Sequence, residues 1–190
     1  MDHLRLWLIR HGETAWSRSG VHTSYTDIPL TPEGERQAEA LRDYLQSCPF
    51  NLVLTSPMQR ARQTCNISGY GDRAVVDVEL AEWNYGIYEG KSTQDIREKH
   101  PGWSVWKDEI LDGESLDQVG QRALSVIQRC LDTGGDIALF AHAHILRILA
   151  ACWLQLPPEG GRLFLLNAGS LSLLGYERET RVILNWNRTF

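Results

Sequence analysis

Apolar and polar positions divide the chain into alternating strand and helix signals. Leu4-Arg5-Leu6-Trp7-Leu8-Ile9 is a nearly continuous apolar run and predicts a buried strand. Residues 17–29 are polar, contain Gly20, and read as a loop. Thr31-Pro32-Glu33 opens a helix: Thr31 can cap, Pro32 suits the first helical position, and Glu33 suits the dipole. Ala38, Leu41 and Leu45 follow at helical spacing, and Pro49 lies past the end. A second short strand is expected at 51–54. Ser56-Pro57-Met58-Gln59 then predicts a helix start, with a capping box from Ser56 to Gln59. A third strand is expected at 74–78.

The stretch 79–106 is the least regular and most aromatic, with Trp83, Tyr85, Tyr88, Trp103 and Trp106 and a short helix predicted at Thr93–Lys99. Ser115 and Gln118 form another capping box, before an apolar stripe of Val119, Ala123, Val126, Ile127 and Cys130. Gly134-Gly135 ends that helix. Residues 136–141 read as a strand covered on both faces. A helix is expected at 144–156, stopped by Pro157-Pro158, and two strands at 170–176 and 182–186 should form an antiparallel hairpin. Strand and helix alternate for most of the chain. The expected fold class is therefore α/β, with a mostly parallel sheet, helices on both faces and an antiparallel edge.

At 190 residues, with neither repeat nor linker, one domain spanning 1–190 is expected. The formal net charge of −5 argues against nucleic acid or an anionic membrane as the main partner. It leaves room for a small anion in a locally basic cleft. Cys48, Cys65, Cys130 and Cys152 contain no CxxC pair. The first strand also begins too early to leave room for a targeting segment, so the expectation is reduced thiols in a cytoplasmic protein. The apolar stretch 145–156 is interrupted by Arg147 and is too short to span a bilayer.

Candidate chemistry sits where strands end. Ligands of open α/β sheets bind beyond the carboxyl ends of strands. The first strand runs into Arg10-His11-Gly12, and the strand at 136–141 runs into His142. Parallel strands would bring both histidines to one edge. Arg60 falls in the first turn of its helix, where a cation opposes the dipole, a local conflict often found at functional sites. Glu82 is the acidic residue best placed to join them.

Four stretches resemble the signature motifs of the histidine phosphatase (phosphoglycerate mutase-like) superfamily, in that family's order. They are Arg10-His11-Gly12-Glu13-Thr14, Ser56-Pro57-Met58-Gln59-Arg60-Ala61-Arg62-Gln63-Thr64, Leu80-Ala81-Glu82 with Gly86, and Ala141-His142. The resemblance implies a three-layer α/β/α sandwich and a phosphatase that needs no cofactor or metal. It makes His11 the nucleophile that becomes phosphorylated, Arg10, Arg60 and His142 the groups that hold the phosphoryl, and Glu82 the proton donor. The chemistry agrees. Arginines neutralise a phosphate dianion and disfavour protonation of the attacking imidazole. A phosphohistidine divides one hard step into two.

Substrate-binding positions implied alongside are Ser17, Thr23, Ser24, Tyr85, Ala143 and His144, and the segment at about 83–112 is expected to cover a small phosphorylated metabolite, a sugar phosphate or bisphosphate. Trp16-Ser17, Glu82-Trp83-Asn84-Tyr85-Gly86 and His144 are similar to the sedoheptulose-bisphosphatase-like branch. Where the family usually has His-Gly, this chain has His142-Ala143, which requires a negative φ at Ala143. The insertion's cations Lys91, Arg97, Lys99 and Lys107 are candidates for a second anion site. Three readings compete with simple hydrolysis: a mutase of the same superfamily, a non-catalytic phosphate-binding regulator, and a metal site built on His11, His142 and His144. The two nearby arginines weigh against the last. Oligomeric state is left open.

Overall fold

β1 (Arg5–Arg10) forms where Leu6, Trp7, Leu8 and Ile9 are all buried. It lies inside a six-stranded sheet in the computed structural model, which describes residues 4–190. The order across the sheet is β3-β2-β4-β1-β5-β6. The other strands are β2 (Leu52–Thr55), β3 (Ala74–Val76), β4 (Asp136–Ala141), β5 (Leu171–Glu177) and β6 (Thr180–Arg188). β1 to β4 run parallel, and β5 and β6 add the antiparallel edge.

Alternate side chains of β1 serve opposite faces, as the pleat requires. Trp7 and Ile9 pack with Leu41 and Leu45 of α2 (Pro32–Leu45) and Cys65 of α3 (Gln59–Ile67). Leu6 and Leu8 pack with the stripe of α5 (Leu116–Thr133) and the apolar residues of α6 (Ala143–Trp153). The result is the three-layer sandwich. Two shorter helices, α1 (Ala15–Arg18) and α4 (Thr93–Lys99), lie at the edge where the parallel strands end. α1 overlaps the start of the stretch read as loop; Thr14 and Ser17 close it with a capping box.

Two expectations are corrected. α3 begins at Gln59, two residues later than the Ser56 box implied, and Met58 caps it without a side-chain bond. The Ser56 hydroxyl is bonded to His142 Nε2 at 2.6 Å, while the Asp27 carboxylate accepts from the Gln59 N–H at 2.7 Å. β3 stops at Val76 because Asp77 turns the chain, its carboxylate accepting from the Glu79 N–H at 3.0 Å. The aromatic segment is continuous with the main core: Trp83, Tyr85, Tyr88, Ile96, Trp103 and Val105 share one cluster with Leu6 and Leu8.

α2 meets the β1 exit backbone to backbone. A Cβ on Gly34 would lie 2.2 Å from the Glu13 carbonyl oxygen, and one on Gly12 would lie 2.3 Å from that of Gly34. Glycine at both positions is therefore a matter of close approach rather than of positive φ. No helix among the described residues is long and apolar enough to cross a membrane.

Candidate active site

Arg10 pairs with Ala141 across β1 and β4, so the next residues, His11 and His142, leave the sheet side by side. Their ring centroids are 5.1 Å apart. His11 is 5% exposed. Its Nδ1 lies 2.7 Å from the Gly12 carbonyl oxygen, which can only accept, so Nδ1 carries the hydrogen and Nε2 keeps its lone pair. Burial, then the charges of Arg10 and Arg60, hold the His11 pKa well below its ordinary 6.5, which leaves a neutral imidazole at pH 7.

His142 is held in the opposite tautomer. Its Nδ1 accepts from Arg60 Nε at 3.1 Å, so Nε2–H donates to the Ser56 hydroxyl. The terminal nitrogens of Arg60 donate to the carbonyls of Thr23, Ser24 and Thr26. Arg60 and His142 are both fully buried and sit beneath the cleft floor rather than on its surface. Arg10 lines the cleft; one terminal nitrogen donates to the Leu166 carbonyl, and its buried Nε has no partner.

Glu82 is positioned by backbone amides. Oε1 accepts from Trp83 N and Ile145 N, both at 3.0 Å, and Oε2 accepts from His144 N at 3.1 Å. Two of these are first-turn amides of α6, which lack intrahelical partners. The acid therefore caps the helix that follows His142, and it lines the same cleft as His11 and Arg10.

The cleft has a volume of about 430 Å³. Ser17, Thr23, Tyr85, Ala143 and His144 all line it. Ser24 does not: its hydroxyl donates to Glu89 at 2.7 Å, away from the cleft. Ala143 is the first residue of α6 and has no positive φ, so alanine replaces glycine there without strain. The Tyr85 hydroxyl lies 2.6 Å from His144 Nδ1. Burial pushes the Tyr85 pKa well above 10 and the His144 pKa well below 6.5, so the two hydrogen-bonded groups are both neutral at pH 7.

Sequence reasoning missed two wall residues, His22 and Arg147. His22 packs against Tyr85 and Trp103, with centroids 4.7 and 5.6 Å away. Trp106 lines the cleft, and Arg147 lies over its ring at 4.7 Å. Arg147 had a usable signal, since it follows His144 by three residues and so shares a helix face with it. Among the insertion's cations, only Arg97 lines the cleft, its Nε held by the Trp103 carbonyl at 2.8 Å. Lys91 instead lies over Tyr88, and Lys107 faces a separate groove. Arg10, Arg97 and Arg147 thus face a single carboxylate, Glu82, and none makes a salt bridge among the described residues. No group of three or more His, Cys, Asp or Glu side chains among those residues is arranged to hold a metal ion.

This fold and this pairing of strand-end histidines define a class. The histidine phosphatase superfamily (branch 1) matches residues 6–189, and the chain belongs to that family. It is a phosphoric monoester hydrolase of that family. An acid phosphatase of Mycobacterium tuberculosis is 38% identical over 93% of this chain and 89% of its own. A sedoheptulose 1,7-bisphosphatase of Saccharomyces cerevisiae is 37% identical over 80% of this chain and 68% of its own. A probable phosphoglycerate mutase of Yersinia enterocolitica is 31% identical over 96% and 90%. A solved structure from M. tuberculosis, 37% identical, superposes with a TM-score of 0.92 over 97% of both chains.

Proposed function

We propose that the protein hydrolyses the phosphate monoester of a small sugar that bears a second anionic group, and that it does so through a phosphohistidine on His11. One observation carries the reading: three arginines without acidic partners line a cleft that holds a neutral histidine and one carboxylate. Arg10, with Arg60 below the floor, supplies positive charge for the dianion of one phosphoryl group. Arg97 and Arg147 are then surplus, and a second anion accounts for them. The bisphosphatase relative from yeast supports the same substrate class.

In the first step the Nε2 lone pair of His11 attacks phosphorus, and the bond to the leaving oxygen breaks. Glu82, in its acid form, gives that oxygen a proton. In the second step Glu82 takes a proton from water as the water attacks phosphorus, and the N–P bond breaks to release phosphate. General acid catalysis of this kind is worth ~10²–10⁴-fold. His142 fixes the Arg60 guanidinium and packs against the His11 ring. The four unpaired cysteines fit a cytoplasmic location.

The rival of greatest weight is phosphoglycerate-mutase chemistry, which must keep water from the phosphoenzyme. A pure phosphate binder would have no use for Glu82. The test begins with His11→Ala, which should abolish turnover of p-nitrophenyl phosphate, while base-stable phosphohistidine forms on wild-type His11. kcat/KM is then compared for paired sugar bisphosphates and monophosphates. The wild type should favour the bisphosphate, and Arg97→Ala and Arg147→Ala should reduce that preference about tenfold or more each, the scale of one charged hydrogen bond. A His11→Ala enzyme that still turns over would end the covalent mechanism. A preference that is absent, or untouched by both arginine changes, would end the second-anion reading alone.

A further inference from the structure

Arg60 brings its charge close to His11, but its terminal nitrogens are held by a loop rather than by its own helix. Nη2 donates to the Thr23 and Ser24 carbonyls at 3.3 and 3.0 Å, and Nη1 to the Thr26 carbonyl at 3.2 Å. That loop lies outside the regular helices and strands. It is gripped from its other side by Glu89, which follows a 3-10 turn at Gly86–Tyr88. The Glu89 carboxylate accepts from Ser24 N at 2.9 Å to each oxygen, from Ser24 Oγ at 2.7 Å and from Thr26 N at 3.1 Å.

The peptide group between Thr23 and Ser24 therefore has its N–H on the carboxylate and its C=O on the guanidinium. Both charges polarise it in the same sense, so each of its bonds strengthens the other. Glu89 and Arg60 are an anion and a cation joined through one peptide instead of by direct contact. Glu89 itself faces a groove on the far side of the loop and does not line the cleft.

We propose that Glu89 is a positioning residue for phosphoryl transfer, holding Arg60 in register with His142 and His11 through the Thr23–Ser24 peptide. The inference rests on the reading of Arg60 as a charge acting on the reacting group. Three carbonyls can orient a guanidinium only while the loop that carries them is fixed. Without the carboxylate, the Ser24 and Thr26 N–H groups lose their common acceptor and the carbonyls no longer converge on Arg60. A displacement of order 1 Å in a reacting geometry costs on the order of 10²-fold in rate.

The experiment is a double-mutant cycle on kcat and KM for p-nitrophenyl phosphate, using wild type, Glu89→Gln, Arg60→Ala and the pair. Glutamine keeps the size but turns an NH2 group toward N–H donors. Glu89→Gln should lower kcat about 10–100-fold in the wild type. In the Arg60→Ala background it should lower kcat less than about threefold, because coupled residues are not additive. Ser24→Ala removes one of the bonds to Glu89 and should cause a smaller kcat loss, about threefold to tenfold, that also vanishes without Arg60. It keeps the question answerable if Glu89→Gln does not fold. Equal fold-losses with and without Arg60 would show a merely structural role and overturn the proposal, as would a Glu89→Gln enzyme with unchanged kcat. Arg60→Ala alone tests the underlying reading: wild-type kcat there would remove the role of Arg60, and that of Glu89 with it.

Discussion

His11 and His142 are the same side chain held in opposite tautomers, and a single neighbour decides each. A carbonyl at Gly12 can only accept, so His11 presents a bare Nε2. A guanidinium at Arg60 can only donate, so His142 presents Nδ1 to it and keeps its hydrogen on Nε2. Glu82 is held with similar economy of parts, by three backbone N–H groups from two segments. A glutamine there can accept from the amides through one oxygen only and has no acidic proton to give. Glu82→Gln should therefore lower kcat for an alkyl phosphate by ~10²–10⁴-fold, and far less for p-nitrophenyl phosphate, whose leaving group needs little protonation. Steady-state kinetics on the two substrates would check this, and equal losses would assign Glu82 to binding or structure instead.

Among the elements, α2 makes the least expected demand. Gly34 sits in its first turn, where alanine should add about 1 kcal/mol of helix propensity. The methyl group would nevertheless fall 2.2 Å from the Glu13 carbonyl oxygen, a backbone atom that cannot rotate away. Gly34→Ala should lower the unfolding midpoint and, because the displaced segment adjoins His11, lower kcat as well. A variant more stable than wild type, measured by thermal unfolding, would contradict the contact. Such a requirement is invisible locally, since the partner of Gly34 is 21 residues away in sequence. The Ser56 box failed for a related reason. Its hydroxyl was read as a cap, but His142, far along the chain, competes for it. The Ser115 box had no such competitor and stands as read.

For the molecule as a whole, strand direction, layering and the meeting of the two strand-end histidines were legible because they follow from alternation and parallel register, whereas the order of strands across the sheet was not. Arg147 and His22 were not, because their approach depends on how the aromatic segment packs onto the core. That packing also buries histidines, with a consequence for pH. Burial is the first cause lowering His11, His142 and His144 well below 6.5, and it takes His22 to about 4. The unfolded chain binds these protons near pH 6.5 and the folded protein does not. Stability is therefore fully present above that pH and is lost as pH falls. Each histidine contributes roughly 1.4 kcal/mol per pH unit below 6.5, until its folded pKa is reached. For His22 that window closes near pH 4. The unfolding midpoint, followed by circular dichroism, should be nearly level above about pH 7 and fall steeply below about pH 6. A midpoint that stays level down to about pH 4.5 would mean the histidines protonate without unfolding.

The aromatic wall of the cleft has one more effect, on what happens after the first step. Tyr85 belongs to the same packed cluster as the sheet, Trp106 packs against that cluster, and packed interiors do not deform continuously. A wall anchored in that way is poorly suited to sealing the phosphoenzyme after each transfer. On the proposed mechanism, that wall does not shut off a phosphoryl group carried by His11. Which acceptor receives it is decided by abundance and fit, so water, the most plentiful candidate, sets the lifetime of the intermediate, and any competing alcohol must win by residence in the cleft.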